Sequence, residues 1–230
     1  MIFRQLLDYE SFTYTYLLAS RVGGEALLID PVLEHVPQYL KLLDELGVKL
    51  AIVVDTHTHA DHVTGAGELR GATGCAYTMG QQAESECLSY RLSDNETLKV
   101  DGLSVRAIHT PGHTDDSYSF VMDDRVFSGD TLLIRGTGRT DFQNGDPALQ
   151  YDSLFNRLLA LPEQTLVYPA HDYNGQLLST VQEEKLFNPR LQVQTRQQYI
   201  DQMNSLDLDP PKKMGVAVPA NRHCGQIQGG

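Results

Sequence analysis

Residues 50–62 read LAIVVDTHTHADH. An apolar run of strand length, Leu50 to Val54, ends on Asp55 and is followed by three imidazoles and a carboxylate within six residues: His57, His59, Asp61 and His62. A short aliphatic, β-branched run bounded by polar residues marks a strand. On a helix, spacings of i, i+2, i+4 and i+5 would scatter the four side chains around the circumference, so a loop or helix-entry turn is the geometry that converges them on one ion. The pattern recurs downstream. His113 follows the run 103–109 in TPGH, Asp130 follows 126–128 in SGD, and His171 follows 165–168 in YPAH. Four strand ends each deliver a ligand-type side chain, the arrangement expected where loops at one edge of a sheet carry the chemistry. Imidazole and carboxylate without thiolate suit Zn2+, Fe2+ or Mn2+. Two His and one carboxylate with an open face fit a non-haem Fe(II) site, whereas all seven groups could hold two metals bridged by Asp130.

Outward from this stretch, TYTYLLA (13–19) and EALLID (25–30) form a hairpin about Arg21-Val-Gly-Gly. Val36, Tyr39, Leu40, Leu43 and Leu46 recur at helical spacing over 34–46, with Gly47 at the exit and Pro37 in the first turn. Runs 118–122 and 126–128 flank a turn at Asp123-Asp124. Periodicity predicts a helix over 147–160, a strand over 165–168 and helical segments over 177–187 and 191–204. Strands mixed with helices predict α/β (α+β) layers in a single domain over 1–230. The Pro- and Gly-rich end predicts an extended tail over about 205–230.

The chain has 230 residues, 41% of them hydrophobic, enough for a buried core. Its 18 Lys+Arg against 30 Asp+Glu give a net charge of −12, the wrong sign for nucleic acid or an anionic membrane. No apolar run approaches the roughly 20 residues of a membrane span, and the N-terminal residues lack the pattern of a leader. Cys75, Cys87 and Cys224 are an odd number without a C-x-x-C pair, so neither a disulfide framework nor a thiolate zinc site is expected, and a reducing cytoplasm fits. Cys75 and Cys87 read as buried small hydrophobes. Gly65, Gly67, Gly136 and Gly138 match no phosphate loop and let backbone pass close to the metal loops.

THTHADH, TPGH, SGD and PAH, in this order, resemble the metallo-β-lactamase superfamily, which implies an αββα sandwich of two facing mixed β-sheets flanked by helices. Longer stretches resemble the persulfide dioxygenases within it: THTHADHVTGAGELR (56–70), HTPGHTDDSYSFVM (109–122), FSGDTLLIRGTGRTDFQNGD (127–146), YPAHDYNG (168–175), EEKLFNPRL (183–191) and AVPANRHCG (217–225). The resemblance implies one Fe(II) per chain held by His57, His113 and Asp130. His59, Asp61, His62 and His171 then surround these ligands and fix their imidazole tautomers. It implies glutathione persulfide and O2 as substrates and sulfite and glutathione as products. Glutathione carries carboxylates, and Arg139, Arg190 and Tyr173 are the candidates to hold it.

Two other readings compete. Glyoxalase II, a dinuclear glutathione thioesterase, uses the same seven residues, but the chain after His171 is short for its helical domain, and Gly138-Arg-Thr-Asp-Phe favours the dioxygenase. A non-catalytic metal-binding scaffold would be expected to have lost ligands, and none is missing. Thr58 and Thr137 stand where relatives carry Cys, which removes thiol regulation at those positions. A homodimer is the commonest assembly for such a chain.

Overall fold

The computed structural model describes residues 1–210 and 213–226. Strands β1 (Ile2–Leu7), β2 (Tyr14–Ala19) and β3 (Glu25–Ile29) lead through a 3-10 turn into α1 (Val36–Glu45). There follow β4 (Lys49–Val54), α2 (Ala66–Thr73), β5 (Ala76–Gly80), β6 (Tyr90–Leu92), β7 (Thr97–Val100), β8 (Leu103–His109), β9 (Tyr118–Val121) and β10 (Arg125–Gly129). Next come α3 (Pro147–Ser153), β11 (Leu166–Pro169), β12 (Ser179–Thr180), α4 (Val181–Phe187), α5 (Arg196–Asn204) and α6 (Met214–Arg222). The strands make two six-stranded sheets, ordered β1-β2-β3-β4-β5-β6 and β12-β11-β10-β9-β8-β7. Both are mixed: β3, β4, β5 and β6 run parallel in the first, and β10 and β11 in the second.

One domain is the sequence expectation; the contacts gather into two compact units, residues 1–92 with 97–105 and 210–230, and residues 93–96 with 106–209. In the first unit the predicted helical face of α1 packs Val36, Tyr39 and Leu43 with Leu69 of α2 against Leu17, Leu28 and Val53 of the sheet. Burial of aliphatic side chains of this size stabilises by about 1.5–3 kcal/mol each, which places the helices on the sheet whatever their intrinsic propensity. In the second unit Leu154, Leu158, Val181, Tyr199 and Met203 pack on Ile108, Val126 and Val167. The helix predicted over 147–160 is α3 followed by a π-type turn, Leu154–Leu158. Its start is fixed by Asp146, whose carboxylate accepts from the Ala148 and Leu149 amides, and by Pro147 in the first turn.

Two expectations are corrected. The supposed extended tail contains α6, because Ala217 and Ala220 lie on one helical face and pack against Val63, an apolar spacing that the Pro and Gly content conceals. Residues 211–212 and 227–230 of that tail lie outside the described residues. Cys87 and Cys224, 137 residues apart, are joined in a disulfide, whereas Cys75 is buried and free as expected. With two of the three thiols paired, the cysteine count no longer argues for a reducing compartment.

Candidate metal centre

Every ligand-type residue singled out in the sequence follows the carboxyl end of a strand or the loop beyond it, where open α/β sheets present their sites. In the first unit the parallel neighbours β3 and β4 end on Asp30 and Asp55. Asp30, held at a φ of 51°, accepts from the Thr56 amide at 2.7 Å, from the Thr56 hydroxyl at 3.0 Å and from His59 Nε2 at 3.0 Å. The Thr56 hydroxyl proton is thereby committed to Asp30, so Thr56 Oγ1 accepts from His57 Nδ1 at 3.0 Å and the His57 lone pair resides on Nε2. His62 Nδ1 donates to Asp61 Oδ2 at 2.9 Å, which leaves the His62 lone pair on Nε2. Thr13 also donates to Asp61 Oδ2, at 2.9 Å. The His57, His59 and His62 rings are in contact, with centroids 4.2 and 4.4 Å apart along the series.

His59 Nδ1 and His62 Nε2 are buried and have no hydrogen-bond partner. An unpartnered buried polar atom costs about 1–3 kcal/mol, and two beside one another with donor atoms of Asp61 within 4.8 Å fit a cation. Burial opposes charge on His59, but Asp30, by charge and hydrogen bond, with Asp61 and Asp55, outweighs it and raises the imidazole pKa to about 9. Burial likewise pushes Asp55 up to about 6, its Oδ2 accepting from the Tyr77 hydroxyl at 2.7 Å. The three acids around His59 thus make this pocket one that favours positive charge.

In the second unit β10 and β11 are parallel, and their register shifts between Phe127 and Gly129. This bulge, with Gly129 at a φ of 55°, turns the chain so that Asp130 leaves the strand line. His171, directly after the Pro169-Ala170 end of β11, donates from Nδ1 to Asp130 Oδ1 at 2.7 Å. His113 donates from Nδ1 to the Arg139 carbonyl at 2.7 Å, so its lone pair lies on Nε2, 3.5 Å from Asp130 Oδ2. A ring nitrogen and a carboxylate oxygen at that separation are placed where one cation can take both. Gly138 is required here, since a Cβ would sit 2.3 Å from the Asp130 carbonyl and 2.8 Å from His113 Nδ1. Gly65 and Gly67 differ from their expected role: added Cβ atoms would strike Val36 and the Cys224 carbonyl, so they admit α1 and the C-terminal segment instead.

The proposed substrate residues divide. Arg139 directs Nε and Nη2 to the two oxygens of Asp141, both at 2.7 Å, and also donates to the Leu208 and Asp209 carbonyls, so its fork is already engaged. Arg190 is half-buried, burial lowers its pKa, and among the described residues no carboxylate pairs with it. Tyr173 is 64% exposed, its ring parallel to that of His171 at 6.2 Å. The sequence reading missed Asp30 and Thr56, which set the His57 and His59 tautomers. Their signal was present: EALLID ends on an acid just as LAIVVD does. It also gave no role to Asn221 inside AVPANRHCG.

Comparison with known proteins gives the family. The family described as "Metallo-beta-lactamase superfamily" matches residues 8–89 and 90–171. The persulfide dioxygenase ETHE1, mitochondrial, of Mus musculus is 41% identical over 228 residues, 98% of this chain and 89% of that protein. A hydroxyacylglutathione hydrolase of Methylococcus capsulatus is 36% identical over 164 residues, 70% of this chain and 62% of that protein. The crystal structure of ETHE1 from Myxococcus xanthus superposes with a TM-score of 0.96 at 47% identity, covering 98% of this chain and all of that one. No helix among the described residues is long and apolar enough to cross a membrane. The near-complete match in both sequence and fold, set beside a hydrolase match that stops at 70% of the chain, places this protein in the ETHE1 persulfide dioxygenase family of the metallo-β-lactamase superfamily.

Proposed function

We propose that the chain oxidises glutathione persulfide with O2, using one Fe(II) held by His57 Nε2, His113 Nε2 and Asp130 Oδ2. Two-His-one-carboxylate sets with open positions are the pattern of non-haem Fe(II) oxygenases. The observation that carries this reading is the near-complete match to the ETHE1 persulfide dioxygenases in sequence and fold. The bond from His171 Nδ1 to Asp130 Oδ1, at 2.7 Å, orients that carboxylate and leaves Oδ2 on the side of His113. His57 and His113 are pre-set in the matching tautomer, each with Nδ1 donated to an oxygen.

When bound, iron supplies the redox change and the free coordination positions that side chains lack. The protein holds the substrate and the ligands. Arg190, without an anionic partner among the described residues, is the group for a glutathione carboxylate, and Tyr173 lines the approach beside His171. Arg139 acts chiefly through its carbonyl, which orients His113, while its fork ties that loop to Asp141. The reaction balances as glutathione persulfide, O2 and water giving glutathione, sulfite and two protons. Burial of His57 and His171, each 2% exposed, keeps bulk water from competing for their protons.

The hydrolase reading draws on one observation, the unpartnered nitrogens of His59 and His62, which could serve a second metal. An oxygen electrode run beside a sulfite assay separates the two. One O2 consumed per sulfite formed, dependent on the persulfide and absent with glutathione alone, is expected. Anaerobic cleavage of S-lactoylglutathione without persulfide-dependent oxygen uptake would establish the hydrolase.

A further inference from the structure

Asn221 lies on α6, 162 residues from His59 in sequence, and is buried at 4% exposure. Its carboxamide is saturated by the backbone of one segment. The side-chain oxygen accepts from the Thr64 amide at 2.8 Å, and Nδ2 donates to the carbonyls of His59 and His62, both at 2.9 Å. One acceptor and two donors meet two carbonyls and one amide, all in the turn that carries the imidazoles. Asp30 fastens the entry of the same turn through Thr56 and His59. Asn221 fastens its exit.

The helix that presents this side chain is itself held. Ala217 and Ala220 pack on Val63, the Glu86 amide donates to the Arg222 carbonyl at 3.1 Å, and Cys224 is tied to Cys87. Gly67 and Gly225 leave no room for a Cβ against the Cys224 and Thr64 carbonyls, so the segment cannot slide without opening this packing.

We propose that Asn221 is a positioning residue: it fixes the backbone of His59 and His62, and through the packed rings of His59 and His57 it sets the direction of the His57 lone pair before metal arrives. The inference rests on the reading of this turn as metal-binding. Groups that orient metal ligands change affinity by roughly 10- to 100-fold when removed.

The test uses Co(II), whose visible spectrum reports ligand geometry, on the full chain with Asn221→Asp, Asn221→Ala and Cys87→Ser. Asn221→Asp keeps the shape and the acceptor for Thr64 but turns an oxygen on two carbonyls. Roughly 10- to 100-fold weaker Co(II) binding with a changed spectrum is expected for both Asn221 variants at temperatures where circular dichroism shows them folded. Cys87→Ser, which opens the disulfide and leaves the carboxamide, should melt earlier and bind Co(II) as the parent does. Folded Asn221 variants that melt earlier yet bind Co(II) with parental affinity and spectrum would reduce Asn221 to a fastener of the helix and overturn the proposal. Amide exchange on the parent needs no variant: Thr64 should be as protected without metal as with it. A Thr64 amide that exchanges freely until Co(II) is added shows that metal sets the turn and also overturns it. A parent that binds no Co(II) overturns the metal reading itself.

Discussion

His171 separates the one-metal from the two-metal reading through a choice of two amide replacements. The amide nitrogen of Asn falls near the position of a histidine Nδ1, and that of Gln near Nε2. The bond from His171 Nδ1 to Asp130 Oδ1, at 2.7 Å, joins a donor to a charged acceptor in a buried setting. Hydrogen bonds to charged groups contribute about 1.5–3 kcal/mol. At 1.4 kcal/mol per factor of ten, His171→Ala should weaken Fe(II) binding by roughly 10- to 150-fold. His171→Asn keeps a donor for Asp130 and should lie within a few-fold of the parent, whereas His171→Gln should behave as the alanine variant does. Competition with a chromophoric chelator under anaerobic conditions gives the three dissociation constants. A histidine that instead ligated a second metal through Nε2 would reverse the order, with Gln tolerated and Asn not. That order, together with two metal equivalents in the parent, would refute the assignment of His171 as the group that orients Asp130.

Other outcomes are expected from the same geometry. His57→Ala, His113→Ala and Asp130→Ala should each abolish iron binding, with about one iron per parental chain by elemental analysis; retention of stoichiometric iron by any of the three removes that residue from the ligand set. Arg190→Ala should raise the apparent KM for glutathione persulfide by roughly 10- to 150-fold with iron content intact, and an unchanged KM would dismiss it as a substrate contact. Arg139→Ala should instead reduce iron content more than it raises KM, since its fork holds the loop whose carbonyl orients His113. Burial alone would raise the pKa of Asp8, but the Ser11 hydroxyl and amide, with His35, lower it to about 2. A carboxylate so depressed contributes stability above its unfolded pKa near 4 and loses it as pH falls toward 2. Asp8→Asn should therefore lower the melting temperature at pH 7, and the difference from the parent should shrink on acidification; a pH-independent difference would show that charge plays no part.

The centre of the fold was legible because its elements announce themselves twice, once by periodicity and once by what ends them. LAIVVD, with its aliphatic run and terminal acid, reads as a strand and is β4; the face of Val36, Tyr39 and Leu43 reads as a helix and is α1. Ligand-type residues were legible for the same reason, each standing just past an apolar run. What escaped was the short and the distant. β6 and β12 have three and two residues, too few for any period to register. The helix α6 hides behind Pro219, and its contribution is a contact 162 residues away in sequence, which no local pattern can reveal. The disulfide escaped likewise: spacing gives no connectivity to two cysteines 137 residues apart. Arg139 was legible as a motif residue, but the Asp141 that occupies its fork stands two positions on, where sequence shows only another charge.

The bonds from Asn221 to His59 and His62 also have a meaning in time. A chain is made from its amino end at about 5–20 residues per second, so His59 is added roughly 8 to 32 seconds before Asn221. During that interval the His59 and His62 carbonyls lack the carboxamide that later donates to them. Synthesis of α6 thus marks the moment from which the histidine turn can be fastened at both ends, by Asp30 at its entry and by Asn221 at its exit.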